Sequence, residues 1–155
     1  MIFRLCIVLL LLLPAGARCE DYRTVYLRNL CLRAGTEKDA SLKLYRETIR
    51  VEVSDPPIYV CFKGMALLMQ AKHDCRIWER MGYFRKGCAY LDRAIRRDPR
   101  NAEMRFYRYC VQTQAPAWLG YHSDIDEDRN VLRSNLEQIV DPELKQKILN
   151  YLVKT

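Results

Sequence analysis

Three aspartates alternate at Asp124, Asp126 and Asp128, the spacing of the first oxygen ligands of a calcium-binding loop. The rest of such a loop is absent. The position that needs glycine for a sharp turn holds Arg129, and the position that needs a bidentate glutamate holds Asn135. The same residues read more simply as a helix start. Ser123 or Asp124 caps it, and Asp126, Glu127 and Asp128 favour its positive end by about 0.3–1 kcal/mol each. His73, Cys75 and His122 are the remaining candidates for a zinc site or a thiol–imidazole pair. They show neither Cys-x-x-Cys nor paired-histidine spacing, and side chains two residues apart on a helix point in different directions. The sequence therefore assigns no metal, no cofactor and no catalytic residue.

What stands out instead is recognition by cations and rings. Between Arg76 and Arg108 lie ten Lys or Arg residues against four acids, whereas residues 123–155 carry seven acids against five bases. Arginines interleaved with Phe106, Tyr107 and Tyr109 superficially suit nucleic acid, since cations neutralise phosphates and rings stack on bases. The export signal described below argues against such a partner. Arg93, Arg96, Arg97 and Arg100 read as the solvated face of a helix. Arg105, Arg108, Tyr109 and Tyr121 are expected to line a concave groove that binds a protein or peptide, because tyrosine and arginine dominate binding hot spots.

The segments that would position these residues read as helices. Leu42, Tyr45 and Ile49 point to an inward face on a helix over about 39–53, and Tyr22, Val25, Tyr26, Asn29 and Leu30 to one over about 20–34 with Gly35 as its C-cap. Asp55 before Pro56 and Pro57 starts a helix over about 56–73. The longest helix, about 77–98, carries Met81, Phe84, Cys88, Leu91 and Ile95 on one stripe. Asp98-Pro99 ends it and Asn101 caps the next, about 102–114. Pro116 to Tyr121 reads as a turn, and helices over about 124–139 and 142–153 complete an all-α fold of about seven helices.

Gly87, Leu91, Ala94 and the Pro99 terminator fall at the spacing of the second helix of a tetratricopeptide repeat. This part of the chain resembles that family, with 56–114 as the repeat-like core. The likeness implies antiparallel helical hairpins in an irregular α-solenoid, and an extended turn over 72–79 where the first-helix signature is missing. Further strings are Gly64 followed by Ala71-Lys72-His73, then Asp98-Pro99-x-Asn101-x-Glu103-x-Arg105-Phe106, and Pro116-x-x-Leu119-Gly120-Tyr121 with Asp124 and Asp128. Together these resemble uncharacterised small exported proteins of Bacteroidetes-type bacteria. That resemblance implies a tetratricopeptide-like fold and an envelope location, and brings no catalytic residue.

Apolar residues run from Cys6 to Leu13 behind Arg4, and Pro14 leads into the small-x-small site Ala15-Gly16-Ala17. This reads as a secretory signal peptide over 1–17, too short for the roughly 20 apolar residues of a membrane span. A lipid anchor at Cys19 is disfavoured by Arg18 before it. Removing 1–17 from the 155-residue chain, whose formal net charge is +7, leaves 138 residues, enough for one domain over 18–155. Six cysteines remain, among which Cys61, Cys88 and Cys110 read as buried thiols; Cys19, Cys31 and Cys75, nearer loops, are better placed for a disulfide. The functional expectation is an exported protein–protein interaction module in the periplasm or envelope. A small envelope hydrolase or metal-dependent enzyme is the alternative, and it would need a polar cluster in a deep pocket.

Overall fold

The computed structural model describes residues 20–73 and 76–154; the expected signal peptide, Cys19 and Cys75 lie outside them. Among the described residues the fold is all-α, with seven α-helices: α1 (Tyr22–Ala34), α2 (Lys38–Thr48), α3 (Pro57–His73), α4 (Ile77–Arg97), α5 (Ala102–Gln114), α6 (Ile125–Asn135) and α7 (Pro142–Lys154). Short 3-10 turns at Ala117–Leu119 and Leu136–Gln138 follow α5 and α6. Consecutive helices pair, α1 with α2, α3 with α4, and α5 with α6, while α2 and α1 also pack on α3. None of the described helices is long and apolar enough to cross a membrane.

Local chemistry accounts for the helix ends. The Asn101 side chain accepts from the Met104 N–H at 3.1 Å, and Asp141 accepts from the Leu144 N–H at 2.8 Å, each satisfying a backbone donor that has no partner inside its helix. Gly120 closes the turn after Trp118 with a φ of 66°, the one positive φ among the described residues. Gly35 is the C-cap of α1, in an ordinary right-handed conformation.

The tightest helix contact is α3 against α4, and two glycines make it possible. A Cβ on Gly64 would lie 2.9 Å from the Gly87 carbonyl oxygen, and one on Gly87 would lie 2.6 Å from Leu68 Cγ. Leu91 and Ile95 are buried, as their stripe predicts, and so are Val60 and Ala94, while Phe62 packs on the Tyr107 ring of α5 with centroids 6.0 Å apart.

The inward faces of the first two helices differ from the sequence expectation. On α2, Tyr45 packs half-buried on the core as expected, but Leu42 is 36% exposed and the C-cap Ile49 56%, and the helix buries Ala40, Ser41, Leu44 and Thr48. That face is admissible because its hydroxyls are satisfied: Thr48 Oγ1 donates to the Leu44 carbonyl at 2.8 Å, and Ser41 Oγ accepts from Gln70 Nε2 at 3.1 Å. On α1 the buried residues are Leu27, Arg28, Leu30, Cys31 and Ala34, leaving Tyr22 and Asn29 in water. Cys31 is therefore a buried free thiol rather than a loop cysteine, as are Cys61 and Cys88, and Cys110 is free and half-buried. The expected long turn over 72–79 is short at its ends, since α3 runs to His73 and α4 begins at Ile77.

Candidate binding cleft

The four residues expected to face a partner do come together, but inside the protein. Asp128, on the first turn of α6, is fully buried and joins two of them: Arg105 Nη1 donates to its Oδ1 at 2.8 Å, while Arg108 donates through Nε to Oδ2 and through Nη2 to Oδ1, both at 2.7 Å. Arg105 also meets Glu127 at 2.9 Å and the Pro99 carbonyl at 2.9 Å. Arg108 reaches Asp92 at 3.4 Å and Asp124 at 3.5 Å. Tyr121 donates to Asp92 at 2.7 Å, and Tyr109 accepts from Arg129 Nε at 3.1 Å. Burial opposes the charge on Arg108, yet its bonds to Asp128 outweigh that and hold the guanidinium above its ordinary range. Burial and then the Asp92 charge push the Tyr121 phenol up.

This placement corrects the expected surface of Arg105, Arg108, Tyr109 and Tyr121. All but Tyr121, which is half-buried, are buried, and they fasten α5 to α4 and α6. The reason is that the acid-rich segment folds back on the basic one. Asp124 and Asp128, read from sequence as a helix start or calcium ligands, are counterions. No group of three or more His, Cys, Asp or Glu side chains among the described residues is placed to hold a metal ion. His73 and His122 meet the carbonyls of Ala34 and Ala115, each at 3.0 Å.

A second buried charge centre was not foreseen. Arg28 donates through Nε and Nη2 to the two Glu103 oxygens at 2.8 and 2.7 Å, and through Nη1 and Nη2 to Glu20 at 2.6 and 2.7 Å. It also lies 3.3 Å from Asp141, at the start of α7. Tyr107 donates to Glu103 at 2.9 Å, and burial followed by the Glu103 charge keeps its phenol well above the ordinary range. The one hint in the sequence is a charged residue set between Leu27 and Cys31 on the buried face of α1.

Beside this centre a cleft of about 690 Å³ opens to the surface. Its floor is Cys31, Met65, Leu68 and Phe106, from α1, α3 and α5. Met69, Met81 and Phe84 form one wall, and Val111, Leu119 and Tyr151 the other. Exposed Trp118 stands at the mouth. Tyr151 is fixed by edge-on packing against Phe106 and Tyr109, with ring centroids 5.8 Å away in each case, and by the Thr113 hydroxyl at 2.7 Å. Four charged side chains line the cleft and all are cations, Lys72, Arg80, Lys147 and Lys154; no carboxylate lines it among the described residues. Burial pushes the Cys110 thiol up to about 12, so it is neutral at physiological pH.

The chain matches no family model, no curated protein and no solved structure.

The cleft is thus the part of the molecule whose chemistry points outward. Sequence reasoning passed over Met65, Met69, Met81 and Val111 because each lies on an apolar helix stripe that also supplies core residues.

Proposed function

We propose that the protein is a non-catalytic interaction module whose cleft receives an amphipathic helical segment of a partner protein. The observation that carries this reading is the open, apolar cleft of about 690 Å³. Apolar surface left accessible on a folded domain marks an interaction site, and concave sites of roughly 300–1,000 Å³ are of ligand-binding size. The lining supports a helical guest in particular. Met65, Met69 and Met81 are flexible and polarisable, the type of side chain that adapts to varied apolar faces, and Trp118 offers a rigid anchor at the rim. Helical hairpins of the tetratricopeptide-like kind are suited to presenting such a surface. The apolar run Cys6 to Leu13 with Ala15-Gly16-Ala17 supports work outside the cytoplasm, in the periplasm or envelope.

The alternative of a hydrolase or metal-dependent enzyme draws no support from the cleft, whose lining holds no histidine or carboxylate among the described residues. A photo-crosslinking amino acid placed at Met69 or Trp118 in producing cells tests the proposal. Both sites should yield the same discrete adduct, with the crosslink mapping to one apolar helical segment of the partner, and the exposed Arg96 site should yield none. Equal labelling from all three sites, or none from any, would refute it.

A further inference from the structure

We infer that the outer face of α4 docks the protein on an anionic phospholipid surface, with the cleft turned away from the bilayer. This face carries Arg85, Lys86, Arg93, Arg96 and Arg97, all exposed, and exposed Arg100 follows just past the helix end. At about 100° per residue the five helical cations and Ala89 share roughly a third of the circumference, and no carboxylate falls among them. Arg85, Lys86, Arg93, Arg96 and Arg100 have no ion-pair partner among the described residues. The acids of this helix and its C-cap are engaged elsewhere. Glu79 pairs with Arg76 at 3.0 Å before the row begins, Asp92 accepts from Tyr121 at 2.7 Å on the inner side, and Asp98 accepts from Asn101 Nδ2 at 3.1 Å. Arg97 donates to the carbonyls of Val53 and Asp55, each at 2.6 Å, and so meets backbone oxygens rather than a carboxylate. The buried arginines Arg28, Arg105 and Arg108, by contrast, are all matched with acids.

The residues around this row favour a lipid surface over nucleic acid. Trp78, 89% exposed, stands seven residues before Arg85 and therefore on the same side of α4. Its amphipathic ring suits the headgroup layer of a bilayer. Binders of single strands interleave their cations with rings on which bases stack. Here the centre of the row is Ala89, and Tyr90 at its margin is covered by the Lys63 ammonium 5.1 Å from the ring centroid. From Arg85 to Arg97 the helix rises about 18 Å, so the cations form a row along its side rather than a clasp around one phosphate. Cations held together near an anionic surface add their attractions. Arg80 and Phe84 line the cleft from the opposite side of α4, so docking and partner binding use different faces.

Cosedimentation with vesicles tests the inference, using the protein in the form that producing cells accumulate. One vesicle set is equal parts phosphatidylglycerol and phosphatidylcholine, the other phosphatidylcholine alone. Arg93→Gln/Arg96→Gln neutralises the row, and Lys38→Gln/Arg133→Gln removes the same charge from exposed sites on α2 and α6. Circular dichroism establishes that each variant is folded. Binding should require phosphatidylglycerol and weaken as salt rises. Neutralising the row should weaken it by about thirtyfold, and the control pair by less than about threefold. In a Trp118→Phe background, which leaves Trp78 as the sole tryptophan, emission should shift to the blue on the anionic vesicles. Equal losses from the two pairs, or vesicle binding that leaves Trp78 emission unmoved, overturns the inference. So does the absence of phosphatidylglycerol-dependent binding; a DNA or RNA oligonucleotide bound through Arg93 and Arg96 in that case would assign the row to nucleic acid. None of these outcomes bears on the cleft, because the crosslinking sites Met69 and Trp118 lie off this row.

Discussion

Asp128→Asn is the sharpest probe of how this domain is held together. The side chain keeps its shape but gives up the charge that two guanidiniums share, at 2.8 Å to Arg105 and 2.7 Å to Arg108. Removing one partner of a buried ion pair typically costs about 3–5 kcal/mol, since the remaining charge stays desolvated. The lower end applies here, because Arg105 keeps Glu127 and the Pro99 carbonyl, and Arg108 keeps Asp92 and Asp124. A loss of about 3 kcal/mol corresponds to a Tm lower by roughly 9 °C for a domain of this size. Asp126→Asn is the matched control: its side chain is 89% exposed, it pairs only with Arg129 on the surface, and its loss should stay under about 1 kcal/mol. Urea unfolding followed by circular dichroism measures both. Equal losses from the two variants would mean that Asp128 acts only as a helix-start charge, and the account of the buried centre would be wrong.

Two substitutions on α4 should move stability in opposite directions. Gly87→Ala meets Leu68 and the Gly64 carbonyl and should destabilise by about 1–2 kcal/mol, whereas Gly82→Ala, with nothing within 4 Å, should stabilise by about 0.5–1 kcal/mol; thermal melts read the signs directly. Asn101→Ala removes the α5 cap and should lower stability by about 1 kcal/mol in the same assay. Burial raises the thiols of Cys88 and Cys110 from 9.0 to about 12. Unfolding then releases protons more readily than the folded state does, so stability is full below about pH 9 and declines as pH rises toward 12. Cys110→Ala should flatten that alkaline decline in Tm, and an unchanged slope would show that this thiol titrates alike in both states.

The elements of this fold were legible because their determinants are local. Pro57, Asn101 and Asp141 start helices through their own dihedrals and side-chain oxygens, and Asp98-Pro99 stops one, whatever the rest of the chain does. The stripe through Cys88, Leu91 and Ile95 likewise required only helical periodicity, whereas the close approach of Gly64 to Gly87 needed α3 and α4 set side by side. Periodicity erred on α2, where a face bearing Ser41 and Thr48 lies inward and one bearing Leu42 and Ile49 outward. A hydroxyl that bonds to the preceding turn is cheap to bury, and no hydrophobicity pattern records that bond.

Charge was the property that sequence could count but could not place. Basic residues of α4 and α5 and acids of α6 stood out as two opposite runs, yet whether Arg105 and Arg108 met solvent, a partner or Asp128 depended on α6 folding back across α5. The same holds for Arg28, whose partners Glu103 and Asp141 are 75 and 113 residues away along the chain. The cleft, too, exists only where α1, α3, α4, α5 and α7 fail to close on one another, so its methionines look like core until the helices are set in space. Helix identity, the Asn101 and Asp141 caps and the apolar stripe of α4 followed from the sequence because neighbours within a turn fix them, whereas the Asp124 side chain makes no cap bond to α6. Ion-pair partners, the inward face of α2 and the open apolar surface were decided by tertiary contacts, because desolvation and packing are set by residues distant in the chain.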